Sequence, residues 1–339
     1  MLQGSAWFRA ILVAAFATGA LLGCDDDEDV VQVSQVQLDI QNLQPLETGR
    51  YELWIIEGGT PYLAGEVTPG ANGEVDGAVF DVPADVTMPE VVVITYENDL
   101  DTAPSASKLM GGAFDATGVA TFSLVGFALE SEAFSSGNSN GEFFLRTPSD
   151  EAAGAPNNGN DEQGVWIGTP GMPPPASLTL PALVDGWIYE GWVVETSGPF
   201  AVTTGRFADD QGINGTSAQD SDNVGPFGGT ENTGPPIPGS DYVMDNAAVM
   251  LPEGLARPPF TLNDGNWMVV ITLEPTDNDT PGPFSVKPLG ALVAAGAATA
   301  PATIDFGFDP LGSIPSGTAV IVNGLESVGS RGDVTGLTR

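Results

Sequence analysis

Tyr51-Glu52-Leu53-Trp54-Ile55-Ile56 and Tyr189-Glu190-Gly191-Trp192-Val193-Val194 are two copies of one strand. Side chains alternate across a pleat, so Tyr51, Leu53 and Ile55 share one face while Glu52, Trp54 and Ile56 share the other. Both faces are largely apolar, and such a strand needs cover on both sides, as inside a sandwich. Each copy leads to a glycine, Gly65 or Gly205, read as the start of the next strand. Upstream, Leu38-Asp39-Ile40 matches Leu178-Thr179-Leu180. Downstream, Val91-Val92-Val93-Ile94-Thr95-Tyr96-Glu97 matches Trp267-Met268-Val269-Val270-Ile271-Thr272-Leu273-Glu274. Further on, residues 120–124 and 143–146 correspond to 302–306 and 318–323. The shared order predicts a repeat. Short apolar runs parted by Gly, Pro, Asn and Asp turns predict an all-β fold of two antiparallel, sandwich-like halves.

Each second strand ends in an acidic turn closed by proline: Asp99, Asp101 and Pro104 after Glu97, and Asp277, Asp279 and Pro281 after Glu274. Calcium takes six to eight oxygen ligands of this kind. Glu97, Asp99 and Asp101, together with Glu274, Asp277 and Asp279, are therefore candidate calcium ligands, as are Asp209, Asp210, Asp220 and Asp222 in a second-copy insertion. No complete calcium-loop consensus is present, and the alternative reading is solvated turn carboxylates. Lys108 and Lys287, the only lysines, follow these turns, which predicts ion pairs Glu97–Lys108 and Glu274–Lys287 tying each strand to its return. Of the tryptophans, Trp187 is the best candidate for a sugar-stacking surface, while core packing is expected of the others.

Tyr-Glu-x-Trp, the later glycine, Val-Val-Ile-Thr-x-Glu and the proline turn resemble the extracytoplasmic domain of anti-sigma-K-factor type membrane proteins, over roughly residues 37–125 and 176–300. The stretches Gly141-Glu142-Phe143-Phe144-Leu145-Arg146, Gly164-Val165-Trp166-Ile167 and Gly186-Trp187-Ile188-Tyr189 look like bacterial envelope lipoproteins that carry such a domain. The resemblance implies a fold and an envelope address. Those relatives join a sigma-binding helical segment to the outer domain by a membrane span, and neither segment is expected here.

Residues 1–23 read as an export signal, with Arg9 before an apolar run too short to span a bilayer. Leu21-Leu22-Gly23-Cys24 resembles a lipobox, which makes Cys24, the only cysteine, a lipidation site and the membrane a partner. Asp25-Asp26-Asp27-Glu28-Asp29 repels itself and reads as part of a solvated tether, 24–36. The predicted organisation then runs 37–148 (first repeat with trailing strands), 149–175 (a Pro/Gly/Asn linker including Met172-Pro173-Pro174-Pro175), 176–325 (second repeat, insertion 208–266) and 326–339 (tail).

With 45 acidic against nine basic residues, the net charge of −36 excludes nucleic acid as a partner. There is no histidine, which removes the serine triad, histidine-held zinc and imidazole base catalysis. The expected function is a non-enzymatic binding or interaction module of the bacterial envelope, facing periplasm or exterior, with an unidentified envelope protein or polysaccharide as partner. Two alternatives stay open: an envelope sensor partner of an anti-sigma system, and a calcium-dependent carbohydrate-binding or adhesion protein.

Overall fold

The computed structural model describes residues 30–98, 103–152, 157–198, 200–207, 226–276 and 282–327. The first seven strands are β1 (Val30–Gln41), β2 (Arg50–Glu57), β3 (Thr60–Val67), β4 (Val75–Asp81), β5 (Val91–Glu97), β6 (Lys108–Ala113) and β7 (Val119–Thr121). There follow β8 (Glu142–Leu145), β9 (Gly164–Ile167), β10 (Trp187–Glu195), β11 (Ala201–Phe207), β12 (Gly239–Asp241), β13 (Trp267–Pro275), β14 (Leu289–Val293), β15 (Ile304–Asp305), β16 (Gly307–Phe308) and β17 (Ser316–Ser327). Only short 3-10 turns interrupt this all-β sequence among the described residues, and none of their helices is long and apolar enough to cross a membrane. Val33–Gly324 forms one compact unit. Of the other, Met1–Gln32 with Leu325–Arg339, the described residues continue β1 and β17.

The repeat is real at the level of register. Strand β2 pairs antiparallel with β5, setting Glu52 opposite Thr95, and β10 pairs with β13, setting Glu190 opposite Thr272. The two glycines are not strand starts. Gly65 lies inside β3 opposite Leu53 and Gly205 inside β11 opposite Gly191, and the ladder shifts register immediately afterwards in both copies. A bulge needs a residue free of side-chain constraint, and Gly205 has φ 105° there. These strands form the sheets β3-β2-β5-β6 and β11-β10-β13-β14-β16.

Two further sheets, β4-β1-β17-β7 and β12-β9-β8-β15, cover their inner faces. Leu38 and Ile40 from one layer and Leu53, Ile55, Val92 and Ile94 from the other are buried in a single core, which continues without a break to Val165, Tyr189, Ile271 and Leu289 of the second half. Read position by position, β4, β1 and β7 correspond to β12, β9 and β15. The remaining strand of each sheet comes from the opposite repeat.

Thus β8 follows β7 in sequence but pairs with β15, and β17 follows β16 but pairs with β7. Matching bonds mark the two slots: the Phe122 N–H donates to the Gly317 carbonyl and the Phe306 N–H to the Gly141 carbonyl, both at 2.9 Å. The repeats have exchanged their last strands. The expected boundary at 148/149 is therefore corrected: β8 and β9 both belong to the second half, and β17 to the first.

Two more expectations shift. Residues 149–175 do not form a linker between halves. A Cβ on Gly317 would meet the Asp39 carbonyl and Ile40, and a Cβ on Gly141 would meet the Ser177 carbonyl and Leu178. The run near Leu178 therefore continues the strand that β9 begins, as the bridge from Asn140 to Thr179 also shows. Met172-Pro173-Pro174-Pro175 lies in an excursion from that interrupted strand, closed by the Thr169 N–H on the Pro175 carbonyl (3.0 Å). The described part of the insertion, residues 226–266, is likewise two pieces, one on each side of β12.

Candidate functional site

Glu97 and Glu274 end a chain of bonds made twice. The indole N–H of Trp54 donates to Thr95 Oγ1 (3.1 Å), and that hydroxyl donates to Glu97 Oε1 (2.5 Å), which also accepts the Ser105 N–H (2.9 Å). In the second copy Trp192 donates to Thr272 (3.0 Å), Thr272 to Glu274 Oε1 (2.5 Å), and the Phe284 N–H to the same oxygen (2.7 Å). Each carboxylate ties its strand to the returning connection through one backbone amide, of Ser105 or Phe284, while the threonine hydroxyl comes from its own strand.

The predicted lysine pairs are corrected. Lys108 is exposed and no ion pair joins it to Glu97 among the described residues. Lys287 and Glu274 attract each other but make no contact ion pair among the described residues; the Lys287 ammonium donates to the carbonyl of Phe284 (2.6 Å). Arginines take the pairing role, on carboxylates that the sequence displayed in Tyr-Glu-x-Trp without revealing their use: Arg50 Nε to Glu52 (2.8 Å) and Arg206 Nε to Glu190 (3.0 Å). Lys287→Met is expected to cost about 1–3 kcal/mol, since buried carbonyls lose their donor, and Lys108→Met less than about 0.5 kcal/mol. Urea denaturation of the two single variants checks this asymmetry.

Burial dominates the electrostatics of the second copy. It pushes the Glu190 carboxyl up to about 8, with the neighbouring Glu274 adding to the rise and Thr203 and Arg206 opposing it. Burial likewise pushes Glu274 up to about 7 against the bonds from Thr272 and Phe284, and raises Glu97. Such shifts mark functional acids in many sites, but here the same frame stands in both repeats: Oε1 of Glu97 and of Glu274 is spent on internal donors, while Oε2 of Glu52 and of Glu274 is buried without a hydrogen-bond partner among the described residues.

Glu97 and Glu274 thus face their own Thr and amide partners. Asp99, Asp101, Asp277, Asp279, the four insertion aspartates and Cys24 lie outside the described residues. No group of three or more acidic side chains that could hold a metal ion occurs among the described residues. Trp187 is 5% exposed, donates its indole N–H to the Lys108 carbonyl (3.0 Å) and packs against Phe284, which in turn meets Tyr96 edge-on. With the Tyr51–Ser285 hydroxyl contact (2.8 Å) it forms the joint between the halves. Trp54, Trp166, Trp192 and Trp267 are buried too.

What the repeats do not share is the covering of the second one. The pieces flanking β12 build a cleft of about 570 Å³ over the outer face of its sheet, walled by Trp192, Phe200, Phe227, Met250 and Leu251, with Glu190 among its lining residues and Glu47 the other charged one. The proline excursion builds another of about 560 Å³, between Met172, Pro173 and Pro174 on one side and Pro235 and Pro236 on the other, with Phe144. Met250 and Met172 stand almost fully exposed on these walls. Behind the second cleft, buried Asp241 accepts the Ser149 N–H (2.8 Å), the Ser149 hydroxyl (2.5 Å) and the Trp166 indole N–H (2.8 Å), fastening the cleft wall to β12. Burial nevertheless pushes Asp241 up to about 7. The sequence signal for both clefts was the Pro- and Gly-rich composition, which marks connections without showing what they enclose.

No family model, curated protein or solved structure matches the chain. Fold and site define an all-β, sandwich-like protein of two repeats.

Proposed function

We propose that the protein is a membrane-anchored extracytoplasmic lipoprotein, held through acylated Cys24, that acts as a non-catalytic binding module, and that its binding surface is the cleft walled by Trp192 and Met250. One observation carries the choice of surface: the strand frame and its buried carboxylates are duplicated, whereas the wall that turns its outer face into a cleft, Pro226, Phe227 and residues 249–252, comes from segments that only the second repeat has. A structural role explains what is repeated, and binding accounts for what is added. An apolar wall with few polar groups is the usual make-up of a ligand site. The absence of histidine from the chain and the internal use of Glu97 and Glu274 support a role other than catalysis.

The test is affinity capture from the native envelope with the full-length chain and two rim variants, Met250→Asp and Met172→Asp. Both side chains are exposed, so neither change disturbs the core. Capture is expected to weaken about tenfold or more with Met250→Asp, as for one central contact worth ~1.4 kcal/mol, and to persist with Met172→Asp. The reverse pattern would move the surface to the proline-walled cleft. Capture unaffected by either variant would remove the reading.

A further inference from the structure

We infer that the slot between β1 and β7 is a strand-acceptor site, and that the partner it fits is a second copy of this chain donating its own β17. The inference is independent of the ligand cleft and rests on the exchange itself. Each half is completed by a strand that is not its neighbour in sequence, with β17 between β1 and β7 and β8 between β9 and β15. In the first slot Thr318, Ala319 and Val320 face Thr121, Ala120 and Val119. The Ile321 N–H bonds the Gly118 carbonyl (2.8 Å) and the Phe122 N–H bonds the Gly317 carbonyl (2.9 Å).

None of these contacts depends on which chain supplies the strand. A β17 from a second molecule would make the same ladder, the same buried contact of Ala319, and the same close approach of Gly317 to the Asp39 carbonyl. The closed and interlocked forms differ in the path of the connection from β16, residues 309–315, and in the bonds that hold it to the rest of its own chain, from the Lys287 N–H to Ser313 Oγ (2.8 Å) and from Asn42 Nδ2 to the Ile314 carbonyl (3.3 Å). Its internal ties are the Ser313 N–H on Asp309 Oδ1 (2.7 Å) and the Gly312 N–H on the Asp309 carbonyl (3.2 Å). The choice between forms is then one of effective concentration, which favours the chain's own strand when dilute and a neighbour's when crowded. Among the described strands β17 is the one to move, because β8 is connected along the chain to β7 before it and to β9 after it, and each of those is fixed in a sheet.

The test uses the full chain with Cys24→Ser, in detergent, carrying Thr121→Cys and Thr318→Cys. These positions face each other across the β7–β17 ladder, and Thr121 is exposed. The protein is refolded from denaturant at low and at high concentration, oxidised, and run on a non-reducing gel. The expected result is a disulfide within one chain from dilute refolding, and a covalent dimer, released by reductant, whose share rises with concentration. Two differently tagged chains refolded together must also give mixed dimers, and the chain with Thr121 and Thr318 intact must show the same concentration dependence by size exclusion. Intrachain disulfides alone at every concentration would overturn the proposal, as would a dimer whose disulfides stay within each chain.

Discussion

Raising the pH from about 5 to about 9 lowers the stability of this protein by at least about 2 kcal/mol, the opposite of what paired surface carboxylates produce. Glu190, Glu274 and Asp241 have folded-state values of about 8, 7 and 7, against ordinary values of 4.5, 4.5 and 3.8. Between each pair of values the folded chain holds a proton that the unfolded chain has released. Unfolding therefore releases protons, and stability is greatest below the unfolded values and is lost as the pH rises through 7 and 8. One unit of difference is worth about 1.4 kcal/mol, and the interaction of Glu190 with Glu274 keeps the three from adding in full.

Glu57 and Asp115 work in the other direction. Hydrogen bonds, chiefly from Thr87 and Thr117 respectively, hold their carboxyls below the usual range, so what they add is lost only as the pH falls through those lowered values. The check is a series of melting curves across that pH range, with Glu274→Gln alongside. The melting temperature is expected to fall by several degrees with rising pH, and the slope to flatten in the variant, whose amide mimics the protonated acid. A melting temperature that climbs with pH over the same range would contradict the burial of these groups.

Gly317→Val removes most or all of the folding stability, more than about 4 kcal/mol. A Cβ at this position would stand 2.2 Å from the Asp39 carbonyl oxygen and 2.8 Å from Ile40 Cα. Both are backbone atoms near the end of β1, so no side chain can swing aside. The only relief is separation of β17 from β1, which opens the first half along its centre. Gly137→Ala is the control: its Cβ would meet nothing closer than Ser135 Oγ at 3.8 Å, and a change within about 0.5 kcal/mol is expected. Urea midpoints measure both, and limited proteolysis reports whether β17 has left its slot. A Gly317→Val protein with an unchanged midpoint would mean that β17 does not lie against β1.

Much of the frame was legible because it is local. Alternation along Tyr51–Ile56 and 189–194, the acids at Glu97 and Glu274, and even the correspondence of 318–323 with 143–146 follow from the pleat's period of two and from side-chain size. The role of Glu52 and Glu190 was not legible. Arg50 reaches Glu52 from the same strand, but Arg206 reaches Glu190 from the neighbouring strand, at the position that Glu66 occupies in the first copy. The lysines misled for a related reason. They occupy matching places in the sequence, yet one ends exposed and the other is drawn to the Phe284 carbonyl.

The amino-acid sequence by itself determined that this chain is all-β and repeated, since strand propensity, turn chemistry and alternation act over a few residues. The tertiary structure alone decided which strand completes which half. Strands β8 and β17 are equivalent by pattern and each fits the same kind of slot, so local preference cannot choose between them. That choice depends on contacts between β17 and strands at the other end of the chain. It depends equally on the excursion at 168–175 and the pieces flanking β12, which turn one of two matching halves into the one with a cleft.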